Sequence, residues 1–190
     1  MVKIKGFTLI ELVVVLVILG VLAVVAAPRF LNLQNDARIS FIQGVSAAME
    51  TSGVQVNAKA VIDNETGQTG KVYDKGFSSP DNGIPVAYGF ADSHWNNAWR
   101  YLVDIGEVIP YTNFNSVCSD YSLCGVGNQT VNNINQSILP DAVTKPAPSN
   151  AKMVFIWPEG SKIADRCYAY YYHPKVEGED SLYGSVTDGC

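Results

Sequence analysis

The chain has 190 residues, 47% of them hydrophobic and 16% charged, which fits one compact domain with an accessory segment and not two large domains. A formal charge of −5 leaves no bulk basic surface that could gain binding energy by counterion release, so no nucleic-acid partner is expected. The first six residues carry two lysines and no acid, so the remainder is more acidic still, as expected of a soluble head.

In chain order, Lys3 and Lys5 come first, and then Phe7 to Ala27 reads FTLIELVVVLVILGVLAVVAA, with Thr8 and Glu11 its only strongly polar side chains. As a helix it is about 31 Å long, enough to cross a bilayer. The upstream lysines keep the N-terminus cytoplasmic by the positive-inside rule and send everything after Ala27 outward. A conventional secretory leader fits poorly, because the apolar run is long and Pro28 follows the Val-Ala-Ala at its end, although a cut one residue earlier stays open. A plain membrane anchor has no use for Glu11 inside the apolar run. An intramembrane carboxylate calls for a partner.

Gly6-Phe7-Thr8-Leu9-Ile10-Glu11, after a short basic leader and before the apolar run, resembles the class III signal of type IV pilins and pseudopilins. The resemblance implies that a prepilin peptidase removes residues 1–6, cutting between Gly6 and Phe7, and methylates the new Phe7 amine. It implies that residues 7–27 stay in the mature chain as the transmembrane and filament-core helix, and that Glu11 serves assembly by facing the Phe7 amine of a neighbouring subunit. The function that follows is a structural subunit of a type IV pilus used for surface adhesion, with a pseudopilin of a type II secretion system as the alternative. The implied partners are further copies of the chain, minor pilins, the prepilin peptidase, the inner-membrane assembly platform and host or abiotic surface glycans. The implied location is the inner membrane, single-pass with the N-terminus inside, and then the extracellular filament.

Residues 28–60 read as an amphipathic continuation of the helix. Phe30, Leu33, Ala37, Phe41, Val45, Ala48 and Met49 recur three or four apart on a stripe expected to pack on the head. Pro28 removes the amide that would bond the Val24 carbonyl, so a kink or a locally opened helix is expected between Gly20 and Pro28. Residues 27–38 and 43–49 are also similar to mannose-sensitive haemagglutinin pilins, with weaker echoes in Val86-Ala87-Tyr88-Gly89-Phe90 and Gly189-Cys190.

The head is expected to occupy residues 61–190. Polar loops at 63–71 and Ser78 to Gly83 precede a strand at Ile84 to Phe90. Ser93 could cap a short helix carrying Trp95, Ala98, Trp99, Leu102 and Val103 on one face and ending near Gly106. Asn113 to Ser137 reads as irregular, and Pro140, Pro146 and Pro148 mark a further loop. Met153 to Trp157, Arg166 to Tyr172 and Leu182 to Val186 read as strands. The expected fold is α+β, a long N-terminal helix packed against an antiparallel sheet.

Cys118, Cys124, Cys167 and Cys190 show no metal-knuckle spacing and form an even set that allows three pairings. Neighbours in sequence favour Cys118 with Cys124 and Cys167 with Cys190, which implies an oxidising compartment. No catalytic or metal site is expected. His94 and His173 stand in no catalytic motif, and Gly67 to Lys71 has two residues between its glycines where a phosphate loop has four. Asp63-Asn64-Glu65 and Asp81-Asn82-Gly83 lack the spaced ligands of a calcium loop. Trp95 and Trp99 could stack on sugars, but their helical spacing favours core packing. The Asn-x-Ser/Thr triplets at Asn64, Asn128 and Asn135 are read as chance. No cofactor is implied.

Overall fold

The computed structural model describes residues 6–72 and 83–190, with the side chains of residues 27–32 also outside the description. Lys3, Lys5, Asp81, Asn82 and the side chains of Pro28 and Phe30 therefore lie outside the described residues. Helix α1, Leu9–Ile62, is assigned without a break through residue 28, and a kink between Gly20 and Pro28 stays a proposal. The chain divides into two compact units, residues 1–38 and 39–190.

In the first unit, fifteen large apolar side chains between Phe7 and Val25 are exposed. A soluble protein rarely tolerates such a continuous apolar surface.

The second unit is α+β. Its strands are β1 (Gly70–Val72), β2 (Ile84–Ala87), β3 (Phe90–Ala91), β4 (Leu123–Thr130), β5 (Lys152–Pro158), β6 (Tyr168–His173) and β7 (Leu182–Val186). They form two antiparallel sheets, β1-β2-β3 and β4-β5-β6-β7. The alternation of β5 assigns its side chains to two cores. Val154 and Ile156 face a cluster with Ile42, Val45, Met49, Val56 and Ala60 of α1, while Met153, Phe155 and Trp157 face Val131, Ile134, Leu139 and Val143. The proline-bearing segment after β4 is therefore the cover of a second core.

The buried face of α1 shares Val45 and Met49 with the expected stripe and differs from it elsewhere. Ile42, Val45, Ser46, Met49, Gly53, Val56 and Ala60 are buried, whereas Leu33 and Phe41 remain 63% and 44% exposed. Ile42 and Phe41 both fit the helical spacing with Val45 and Met49, and the sheet's position selects Ile42. Ile84 to Phe90 is corrected from one strand to a hairpin, because Tyr88 and Gly89 both have positive φ and turn the chain between β2 and β3.

The expected cap by Ser93 is also corrected. The helical segment starts at Trp95 as a wide π-type turn to Trp99, continues as α2 (Arg100–Leu102), and has no side-chain cap at its start. Ser93 is fully buried, and its carbonyl accepts the Asn128 N–H at 2.8 Å, so β4 claims the residue. The helix stops at Leu102 and not near Gly106, with the Leu102 carbonyl accepting the Ser52 hydroxyl at 2.7 Å. Trp95 and Trp99 are core residues, 3% and 0% exposed.

Strand β4 lies within the stretch expected to be irregular. Its sequence, LCGVGNQT, has weak strand propensity, and its two glycines are steric necessities. A Cβ on Gly125 would fall 1.9 Å from the Trp95 ring, and one on Gly127 would fall 2.3 Å from the Ser93 carbonyl oxygen and 2.6 Å from the Trp95 amide nitrogen. A ring can swing away more readily than packed backbone can. Gly127→Ala should therefore cost about 3 kcal/mol in urea unfolding, while Gly67→Ala, with open space around it, should change stability by less than about 0.5 kcal/mol.

A buried network couples the stability of this unit to pH. The Tyr171 hydroxyl donates to the Ala91 carbonyl at 2.7 Å and lies 3.1 Å from Ser181 Oγ, which is 3.2 Å from His173 Nδ1. Burial, reinforced by the Lys175 charge and partly opposed by Asp92, lowers the His173 pKa to about 4. The unfolded chain takes up a proton near the ordinary histidine value, and the folded chain refuses it until about pH 4. Stability is thus complete above about pH 6.5 and falls by up to about 3 kcal/mol as pH drops to 4. Urea midpoints measured across that window should show this slope, and His173→Gln should flatten it.

Candidate assembly and processing site

Gly6, Phe7 and Glu11 lie together at the start of α1. Residues 6–8 precede the helix, all three are exposed, and among the described residues no atom beyond Gly6's chain neighbours lies within 4 Å of where a Gly6 Cβ would stand. The Gly6–Phe7 peptide is thus open backbone outside the helical hydrogen-bond ladder, the state in which a protease can bind a chain as an extended segment.

Glu11 already has a partner within its own chain. Its Oε2 accepts the Thr8 backbone N–H at 2.9 Å and the Thr8 hydroxyl at 2.7 Å, while the Glu11 N–H donates to Thr8 Oγ1 at 3.4 Å. With α1 beginning at Leu9, Thr8 is the N-cap and Glu11 the third helical residue, so the two form a capping box. The spacing T-x-x-E carries this signal, and reading Glu11 only as a carboxylate in search of a cation overlooks it. The box uses one of the two carboxylate oxygens and places a negative charge on the positive end of the helix dipole.

The four cysteines lie far along the chain from this site, in the second unit. Cys118 is bonded to Cys124 and Cys167 to Cys190, with no free cysteine among the described residues. The second bridge is seated by Gly189. Its N–H donates to the Arg166 carbonyl at 3.1 Å, and a Cβ there would fall 1.6 Å from the Asp165 carbonyl oxygen.

Residues 1–27 match the prokaryotic N-terminal methylation motif. Over 48 residues, a quarter of its length, the chain is 44% identical to the type IV narrow pilus major component PilA5 of Thermus thermophilus. The aligned region spans about 41% of that relative's length. No solved structure matches the chain. The chain thus carries the methylation motif over the start of its apolar helix, is similar over a quarter of its length to a type IV pilus component, and joins this segment to an α+β unit held by two disulfides.

Proposed function

We propose that the chain is a structural subunit of a type IV pilus. The observation that carries this reading is the open Gly6–Phe7 peptide directly before an exposed apolar helix of membrane-spanning length. Prepilin peptidase cuts this peptide and methylates the Phe7 amine. The mature subunit stays in the inner membrane by residues 7–27, N-terminus inside, with its disulfide-bonded head in an oxidising compartment. It then assembles with further copies and minor pilins, through the inner-membrane platform, into an extracellular filament for surface adhesion. The similarity of residues 27–38 and 43–49 to mannose-sensitive haemagglutinin pilins supports a pilus over a secretion pseudopilus.

Peptide mass spectrometry of a sheared surface fraction tests this. The expected result is filament protein beginning at N-methyl-Phe7, with Gly6 replaced by a bulky residue leaving uncut precursor in the membrane. A mature terminus at Ala27 or Pro28 would overturn the processing step. Electron microscopy showing no surface filament containing the chain would favour the pseudopilin reading.

A further inference from the structure

Beside the turn between β2 and β3 lies an open cavity of about 250 Å³ with a mixed polar and apolar lining, distant in sequence from the processing site. It is lined by Thr69, Tyr88, Asp92, Asn150, Lys152 and Lys175, among others. This is below the roughly 300 to 1,000 Å³ of a pocket for a drug-sized ligand, and suits one small ring.

Three features set the cavity apart from an ordinary surface dimple. Lys175 Nζ and Asp92 Oδ1 form an ion pair at 2.7 Å with side chains only 21% and 16% exposed, so charge is held largely out of water on the wall. Lys152 Nζ donates to Thr130 Oγ1 at 2.6 Å, which fixes the ammonium and leaves two further donors for a ligand. Finally, of the six described non-glycine residues with positive φ, two line this cavity, Tyr88 at 52° and Lys175 at 55°.

The tyrosine is the more informative of the two. Tyr88 and Gly89 form a two-residue hairpin turn with both φ values positive, a turn in which asparagine, aspartate or glycine is favoured in the first place. A bulky aromatic there is strained without benefit to the turn. Its ring, half-buried at the cavity wall, supplies a flat apolar face beside hydroxyl, amide and charged groups. An aromatic face next to several polar groups suits a pyranose, which offers C–H bonds on one face and hydroxyls at its rim. Two lysines against one aspartate give the lining a positive balance on a chain of net charge −5.

We propose that this cavity binds a carboxylated monosaccharide unit of the uronic acid class, with its ring on Tyr88, its hydroxyls on Asp92 and Asn150, and its carboxylate on Lys152. The inference does not depend on the chain being a filament subunit.

The test uses the full chain in a detergent without a sugar headgroup, titrated with glucuronic acid and with glucose and read by ligand-observed NMR. Glucuronic acid should bind in the millimolar range, and glucose at least about tenfold more weakly. Tyr88→Asn should lower glucuronic acid affinity at least about tenfold while leaving the melting temperature unchanged or raised, since asparagine suits the turn. Lys152→Gln should abolish the preference for the acid over glucose. Absence of binding, equal binding of the two sugars, unchanged binding in either variant, or a lowered melting temperature in Tyr88→Asn would each overturn the proposal.

Discussion

Glu11→Gln should give a processed, membrane-resident, disulfide-bonded subunit that forms few or no filaments. Glutamine preserves the capping hydrogen bonds of Glu11 and loses only the smaller charge–dipole contribution within the chain, because its amide oxygen can accept the Thr8 N–H and hydroxyl as Oε2 does. What it removes is the charge. In the proposed filament core the carboxylate is shielded from water, and only a cation can replace the lost solvation. On the proposed assembly, the Phe7 amine of a neighbouring subunit supplies that cation. A subunit out of axial register would leave both charges buried and unpaired, so the pair acts as a register device. Thr8→Ala gives the opposite pattern. It frays the first turn of α1 but leaves the charge, so filaments should still form, in reduced amount. Quantifying sheared filaments from the two variants separates the roles. Wild-type filament output from Glu11→Gln would mean that capping alone accounts for the glutamate.

Replacing Cys167 and Cys190 together by serine should destabilise the head by about 2 to 5 kcal/mol, a fall in melting temperature of about 5 to 15 °C. The bridge joins residues 23 apart, and in the chain-entropy model closing that loop contributes about 3 kcal/mol against about 2 for the six-residue separation of Cys118 and Cys124. The position of the bridge enlarges its effect. β7 is an edge strand bonded only through β6, and the residues after it are held by the bridge, by the Gly189 N–H on the Arg166 carbonyl, and by the Arg166 side chain on Asp188 at 2.5 Å. That last contact is mostly exposed and contributes little by itself. Without the bridge, β7 and then β6 should lose amide exchange protection while the buried part of α1 keeps its own. Filament yield should collapse with the head. Equal melting temperatures for the double variant and the parent would refute the entropic argument.

Much of the molecule was legible from residues alone because its signals are local. The apolar run, the basic leader and the glycine before phenylalanine need only their immediate neighbours. The three C-terminal strands were legible for the same reason: Met153 to Trp157 is a continuous apolar run, and the tyrosine triplet alternates its rings between two cores. Tyr170 faces the outer core and Tyr171 the α1 side. The cysteine pairing followed from short loops that can close without long-range order.

Tertiary structure decided what local chemistry left undetermined. Within the second unit, Phe41 and Ile42 lie on neighbouring faces of α1, both periodic with Val45 and Met49, and the position of the sheet decides that Ile42 is buried and Phe41 is not. In β4, LCGVGNQT has no strand signal, since its glycines answer to Trp95 and the Ser93 backbone, residues some thirty positions away. Ser93 would cap a helix by propensity, yet its carbonyl is taken by Asn128. The sequence by itself determined the N-terminal segment, where periodicity, charge and a processing motif are written within some thirty residues. Tertiary structure alone decided the buried face of α1, the existence of β4 and the cavity beside Tyr88, because each depends on residues distant in the chain meeting across a packed interior.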